Sequence, residues 1–426
     1  MNIEQLRVGI ASSAVTVSEA AKALDVSPDT IRRWEKKGLI KALRSAHNYR
    51  LFNLDEITRI NNKICGHAVE NKYKVLKSEQ STSHSCIELF AGCGGMALGF
   101  GNAGIQHVLL NELNGDAVHT LRANAPEWNV IKADASSVDF SKYKADIVEA
   151  GFPCQSFSYA GKKMGFEDTR GTLFFEFARC LKETRPKIAV GENVRGLLRH
   201  NGGKTLNTMI SVLMQLGYRV AYKVLRAQYL DVPQKRERLI IVAVRKDVDI
   251  PILFPKEQDY TISVREALAN CPDSEGQAYS EKKKRAFSHV PPGGYWRDLP
   301  EKLQAEYMGA SLYLSGGRTG MARRLSWDEP CLTLTCSPAQ KQTERCHPEK
   351  TRPLTIREYA RIQTFPDEWD FHGSISSRYK QIGNAVPVNL AFHIGRCLIA
   401  MLENKAIPND MEIKGPLKQH GQGHIF

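Results

Sequence analysis

Three short stretches hold residue types that could do covalent chemistry together. "GFPCQSFS" at 151–158 ends a hydrophobic run in Pro153-Cys154, "ENV" at 192–194 ends another, and "QKRER" at 234–238 leads into a third. Proline fixes its own φ and lacks an N–H, so Pro153 would hold Cys154 at a rigid strand tip. A thiolate presented there is a candidate nucleophile, although a lone cysteine is more often a small buried hydrophobe. Company changes that balance. Glu192 would stand beside Cys154 in the sheet order, and Arg236 and Arg238 would reach the same cleft, bringing a carboxyl and two guanidinium groups to it.

Such convergence needs a scaffold that brings strand ends together. Beyond about residue 85, short β-branched runs alternate with longer amphipathic stretches, as a parallel sheet with crossover helices requires. The strand candidates are "CIELF", "HVLLNE", "NVIKAD", "DIVEAG", "KIAVGEN" and "LIIVAV". The expected fold is α/β, a doubly wound and mostly parallel sheet, whose ligands gather at the carboxyl ends of the strands.

At the first of those ends, "FAGCGGMALGF" opens a helix, and Gly92, Gly94 and Ala97 fit a dinucleotide fingerprint with Glu112 about 20 residues on. Glycines allow the tight turn, and an acid after the second strand can take both hydroxyls of a ribose. Asp134 after the third strand could bond an adenine amine. The pattern does not separate NAD from S-adenosylmethionine, which carries the same adenosine without a pyrophosphate.

With 426 residues and 42% hydrophobic content, the chain can bury more than one core. A net charge of +13 favours a polyanionic partner. No run reaches the ~18 apolar residues of a membrane span, and the start lacks a signal layout, so a cytoplasmic protein with no membrane partner is expected. Ten scattered cysteines in a chain of this size read as reduced thiols. Cys331, Cys336, Cys346 and His347 include no pair at the usual two-to-four spacing, so no metal is expected.

Near the start, Thr16 and Glu19 have capping-box spacing, and Ser27-Pro28 offers an N-cap and first-turn proline for a second helix ending near Gly38. Two short helices so joined have helix-turn-helix spacing. The segment resembles the winged helix-turn-helix of the MerR family, with its wing at "SAHNYRLF". That resemblance implies that Arg32 and Arg33 face a DNA groove. The expected division is 1–65 for this domain, 66–84 for a linker, 85–255 for a catalytic domain, 256–350 for a loop-rich domain, 351–402 for a return to the catalytic domain, and 403–426 for a tail.

From Cys86 to Leu402, "FAGCGG", Glu112, Asp134, "GFPCQSFS", "ENV", "QKRER", "REYARIQTFPD" and "YKQIGNAVP" follow one another in the order of the cytosine-5 DNA methyltransferases, which the chain resembles. The resemblance implies a bacterial restriction-modification methyltransferase using S-adenosylmethionine. Cys154 would attack carbon 6 of a flipped cytosine, Glu192 contact ring nitrogen 3 and the exocyclic amine, and Arg238 hold the carbonyl oxygen. Phe90 would stack on adenine, with Gly92, Gly94 and Gly95 at the methionine part and Pro153 and Asn384 lining the same site. Leu113 departs from the aromatic residue common after the family's ribose-binding acid.

The loop 155–172 resembles the family's mobile catalytic loop, with Gln155, Ser158, Lys162 and Arg170 toward DNA. In the loop-rich domain, the expected target-recognition domain, Gln340, Gln342 and Arg345 have the chemistry for base edges. A GGNCC-like site is suggested by "ARRLSWDEPCLTLTCSPAQKQTERCHP". Expected partners are double-stranded DNA carrying a short specific site and the enzyme's own promoter. The enzyme would act as a monomer, with a restriction endonuclease sharing the site without a stable complex.

Overall fold

The computed structural model describes residues 14–45, 47–67, 69–152, 173–313 and 320–416. The chain forms two compact units, one of Met1–Lys74, Ala227–Arg236 and Glu257–Asp367, the other of Val75–Arg226, Glu237–Lys256 and Glu368–Phe426.

In the first unit, strand β1 (Ala14–Thr16) leads into helix α1 (Val17–Ala23), where Thr16 and Glu19 form the expected capping box. Helix α2 (Pro28–Lys37) starts at the Ser27 cap and ends at Gly38, whose φ of 66° favours a residue without Cβ. Strands β2 (Leu43–Arg44) and β3 (Arg50–Asn53) pair as the wing hairpin, and β3 also pairs with β1. Helix α3 (Leu54–Ile64) follows. Ile31 and Trp34 of α2 enter one core with Ala20, Phe52, Ile57 and Ile60, so Trp34 is a packing residue.

Farther along this unit the chain is loop-rich, with a second core built on Phe287, Trp296, Tyr307 and Met308. The strands Gln234–Lys235 and Cys331–Leu332 pair in parallel. The helix Ile356–Ile362 belongs to this unit and not to the catalytic body expected from 351 onward. The reason is local bonding: the Tyr359 hydroxyl donates to the Thr335 carbonyl, and the Arg357 N–H donates to Ser274.

The second unit is built on one seven-stranded sheet. Its strands are β4 (Ser85–Leu89), β5 (Gln106–Glu112), β6 (Val130–Lys132), β7 (Ile147–Gly151), β8 (Ile188–Val194), β9 (Tyr218–Arg226) and β10 (Glu237–Arg245). The order is β6-β5-β4-β7-β8-β10-β9, parallel except for β10, which runs antiparallel to both neighbours. The order reverses between β4 and β7, which is where a doubly wound sheet opens a ligand crevice.

Side chains alternate across this sheet. Ile87, Leu89, Val148, Ala150 and Leu239 share one core with Phe174 and Phe177 of α6 (Leu173–Thr184) and Met209 of α7 (Lys204–Gln215). Helix α4 (Gly95–Ala103) lies against α9 (Val388–Glu403) so closely that a Cβ on Gly99 would overlap Ala391. The stretch Ile375–Glu403 is long and apolar enough to cross a membrane, but 72% of its most apolar window is buried inside the protein, as in a core helix.

Residues 66–84 are not a free tether. Asn71 and Lys72 bond to Glu266 in the first unit, whereas Leu76 donates to Asn389 and Ser78 to the Asn102 carbonyl in the second. The expected tail also contains structure: β12 (Met411–Ile413) pairs with β11 (Leu253–Pro255).

Candidate active site

The carboxyl ends of β4, β5 and β6 gather the adenosine-type groups. Phe90 leaves β4 with φ of 60°, a conformation rare for a bulky side chain and one that re-aims the chain into the glycine loop. Gly92 follows at φ 56°, and a Cβ there would meet nothing within 4 Å. Gly94 caps α4 at φ 89°. The Glu112 carboxylate ends β5 and accepts from the Gly92 N–H at 2.7 Å and the Asn114 N–H at 2.7 Å. Asp134 is exposed after β6, and the Ser136 hydroxyl and N–H hold its carboxyl below the usual range. An aromatic ring, a carboxylate tied to the open loop and a second exposed carboxylate are the donor set that an adenosine needs.

Around this loop the packing leaves little slack. A Cβ on Gly95 would overlap the Val386 carbonyl oxygen and sit 3.1 Å from the Ala385 Cβ. Gly95→Ala is expected to cost about 1–3 kcal/mol, read as a lower denaturation midpoint at unchanged slope. Gln381 in α8 (Ile375–Asn384) braces the loop from behind: its Nε2 donates to the His372 carbonyl, its Oε1 accepts from Thr120, and its carbonyl accepts from Cys93 Sγ. Asn384 is exposed at the end of the same helix.

At β7 and β8, Gly151 is the register partner of Glu192, which puts Glu192 beside the strand end that leads to Cys154. The Asn193 side chain donates to the Phe152 carbonyl at 2.6 Å, pinning the last residue before Pro153. Asn193, the middle residue of "ENV", thereby supports the site without being one of its expected residues. Arg238 on β10 donates from Nε to Glu192 Oε1 at 2.7 Å, and both side chains are nearly buried, at 12% and 13% exposure.

Pro153, Cys154, Gln155, Ser158, Lys162 and Arg170 lie outside the described residues. Arg236, expected beside Arg238, is instead buried in the first unit, where its Nη1 donates to the Leu334 carbonyl at 3.2 Å. Arg345, expected at base edges, is also buried and holds the Thr333 carbonyl from Nε and Nη2. Gln340 and Gln342 are exposed, as are Arg32 and Arg33, and Arg32 is ion-paired to Asp29. His347 Nδ1 accepts two backbone N–H groups, and among the described residues no cluster of three His, Cys, Asp or Glu could hold a metal.

A feature outside the expected site lies beneath it. Glu88 and Glu149 are register partners on β4 and β7, both almost fully buried, on the face opposite the core that receives Ile87 and Val148. Their signal was an acid in the middle of two apolar strands. Burial pushes the Glu88 carboxyl up to about 8, and burial, with Glu88 and Glu192 nearby, pushes Glu149 well up. Carboxyls raised in the folded state bind protons that the unfolded chain has lost, so their stabilisation declines as pH climbs from about 4.5 through the folded value. Glu149→Gln is therefore expected to gain about 1–3 kcal/mol at pH 8 and almost nothing at pH 5. Urea midpoints at both pH values test this, and a gain independent of pH would contradict it.

A doubly wound sheet of this order with one antiparallel strand defines the S-adenosylmethionine-dependent methyltransferase fold. Solved structures agree: Schizosaccharomyces pombe Dnmt2 superposes with a TM-score of 0.51 at 17% identity, covering 75% of this chain and 99% of its own. A Spodoptera frugiperda DNMT2 variant does so at 0.54 and 17%, covering 74% and 100%. The C-5 cytosine-specific DNA methylase model matches residues 84–400, and the chain belongs to that family.

Among its relatives, Type II methyltransferase M.Eco47II of Escherichia coli is 53% identical over 91% of this chain and 96% of its own length. M.Sau96I of Staphylococcus aureus is 45% identical over 91% and 88%. M.HhaI of Haemophilus parahaemolyticus, 33% identical, is matched over 98% of its length but covers only 76% of this chain, so the present protein carries additional sequence. The MerR family regulatory protein model matches residues 16–52.

Proposed function

We propose that the enzyme recognises a short specific site in double-stranded DNA, flips a cytosine out of the stack and methylates its carbon 5 after covalent attack by Cys154. The observation that carries this reading is the Glu192–Arg238 pair at the strand end beside Gly151. A carboxyl and a guanidinium fixed to each other can meet the ring nitrogen 3, exocyclic amine and carbonyl oxygen of one cytosine edge.

In this mechanism a bond forms between Cys154 Sγ and carbon 6, and the displaced electron pair makes carbon 5 nucleophilic. Glu192 carries the proton that nitrogen 3 takes up, and Arg238 steadies the charge at the carbonyl oxygen. S-adenosylmethionine would supply the methyl group, and Phe90, Glu112, Asp134 and the Gly92–Gly95 backbone would hold it, with Pro153 and Asn384 at its edge. Loss of the carbon 5 proton then re-forms the double bond and expels the thiolate. Gln155, Ser158, Lys162 and Arg170 would close over the flipped base and its phosphates.

Gln340 and Gln342 remain the base-edge candidates for a GGNCC-like site, with Arg345 assigned to support. Acting as a monomer, the enzyme would protect host DNA from an endonuclease of the same specificity. Residues 1–65 would contact DNA through Arg32 and Arg33, the enzyme's own promoter included.

A duplex containing 5-fluorocytosine tests the core of this reading, because fluorine cannot leave as a proton does. The expected result is a cofactor-dependent covalent adduct at Cys154, located by mass spectrometry. An adduct with transfer RNA but not with duplex DNA would reassign the substrate, and no adduct with either would end the mechanism.

A further inference from the structure

Between residues 27 and 50 the chain has seven Lys and Arg against two Asp and Glu. Both acids are already engaged, Asp29 with Arg32 and Glu35 with Arg50. On α2, Ile31 and Trp34 face the core while Arg33 and Lys36 are exposed. Arg44, His47 and Tyr49 are exposed on the wing, Tyr49 at 69%. One basic face with an aromatic at its tip therefore points to solvent.

The opposite side of this domain is bonded into the rest of its unit. Glu56, Arg59 and Lys63 of α3 are 4%, 7% and 5% exposed. Arg59 and Lys63 both pair with the buried Glu266, Arg59 also donates to the Thr261 carbonyl, and Glu56 accepts from the Thr261 N–H. After α2, the carbonyls of Gly38, Leu39 and Ile40 accept from Gln228, Thr261 and Tyr229. Lys37 pairs with Glu329, which also pairs with Lys235, and Lys235 sits on the strand paired with Cys331–Leu332.

The three ionisable groups on the inner side of α3 are buried because the segment around Thr261 and Glu266 covers them, and they find partners in that segment. Joined to Glu266 they make a fixed mount. The basic face is thereby held in one body with the region 257–350 that the proposed function assigns to target recognition.

We propose that the helix-turn-helix is a built-in arm of the recognition unit, whose α2 and wing face grips the backbone of the target-bearing duplex beside the site, making flanking DNA part of the substrate. This rests on the reading that the substrate is duplex DNA. A rigid arm adds phosphate contacts without the ordering cost of a tethered domain, and each contact adds salt dependence.

The test uses the full-length enzyme and duplexes centred on its mapped methylation site, of about 14 and about 40 base pairs, the longer adding more than one ~10-base-pair turn on each side. KM is expected to be roughly 10-fold lower on the long duplex at equal kcat. The double variant Lys36→Ala, Arg44→Ala should raise KM on the long duplex to the short-duplex value and leave short-duplex kinetics unchanged. It should also flatten the dependence of log KM on log salt by about two charges.

Equal KM on both lengths in the parent overturns the arm while leaving the methyltransferase reading intact. So does a double variant that loses binding only to a promoter fragment without the site. Methylation of neither duplex overturns both readings.

Discussion

Cys154→Ser is expected to lower kcat by about 10⁴-fold or more, with duplex binding retained and the 5-fluorocytosine adduct absent. A serine hydroxyl is far less ionised than a thiol near neutral pH, and the proposed attack on carbon 6 has no substitute route to a nucleophilic carbon 5. Phe152 is 2% exposed and its carbonyl is held by Asn193, which fixes the strand end that precedes Pro153 in the sequence. Methyl transfer by Cys154→Ser at the parental rate would refute the covalent mechanism, and a gel shift on the same duplex separates lost chemistry from lost binding.

Glu192→Gln is the second large effect expected, a fall in kcat of about 10²–10³-fold with KM little changed. Glutamine keeps the shape and can donate to nitrogen 3, but it has no proton to give up. It also removes one charge of a nearly buried pair and leaves Arg238 facing a neutral amide. Stability should drop by about 2 kcal/mol, less than for a fully buried pair because both groups keep some exposure. Arg238→Ala should lose a similar amount from the other side. The two replacements act on one interaction, so the double variant should lose less than the sum, by about 1 kcal/mol or more. Additive losses in kcat and in stability would mean that the two residues work separately.

Much of this was legible because it is local chemistry. The caps at Thr16 and Ser27 and the stop at Gly38 need only neighbours within one helical turn, and all three formed where their spacing implied. Six strands announced themselves as apolar runs because both faces of their sheet are covered. The seventh, β9, went unread: it is the edge strand, and its interleaved polar residues break the apolar run. Glu112, Asp134 and Glu192 could be placed because parallel strands bring their carboxyl ends to one edge whatever the loops do, and Arg238 stands at that edge because β10 runs antiparallel and begins there.

Tertiary structure decided what depends on distant partners. Arg236 and Arg238 are two residues apart, yet the chain passes from one compact unit to the other between them, so one guanidinium holds Leu334 and the other Glu192. Arg345 has base-reading chemistry and is consumed by the Thr333 carbonyl. Glu266 lies 207 residues from the Arg59 it pairs with, and that pair turns an apparently separate helix-turn-helix into a fixed part of its unit. By itself the sequence determined the residue types, their spacing and the strand ends on which they sit, because these follow from backbone preference and periodicity. Which charges are spent on folding and which are left for a substrate was settled only by the folded chain, because desolvation forces each buried charge to take the nearest partner in space, not in sequence.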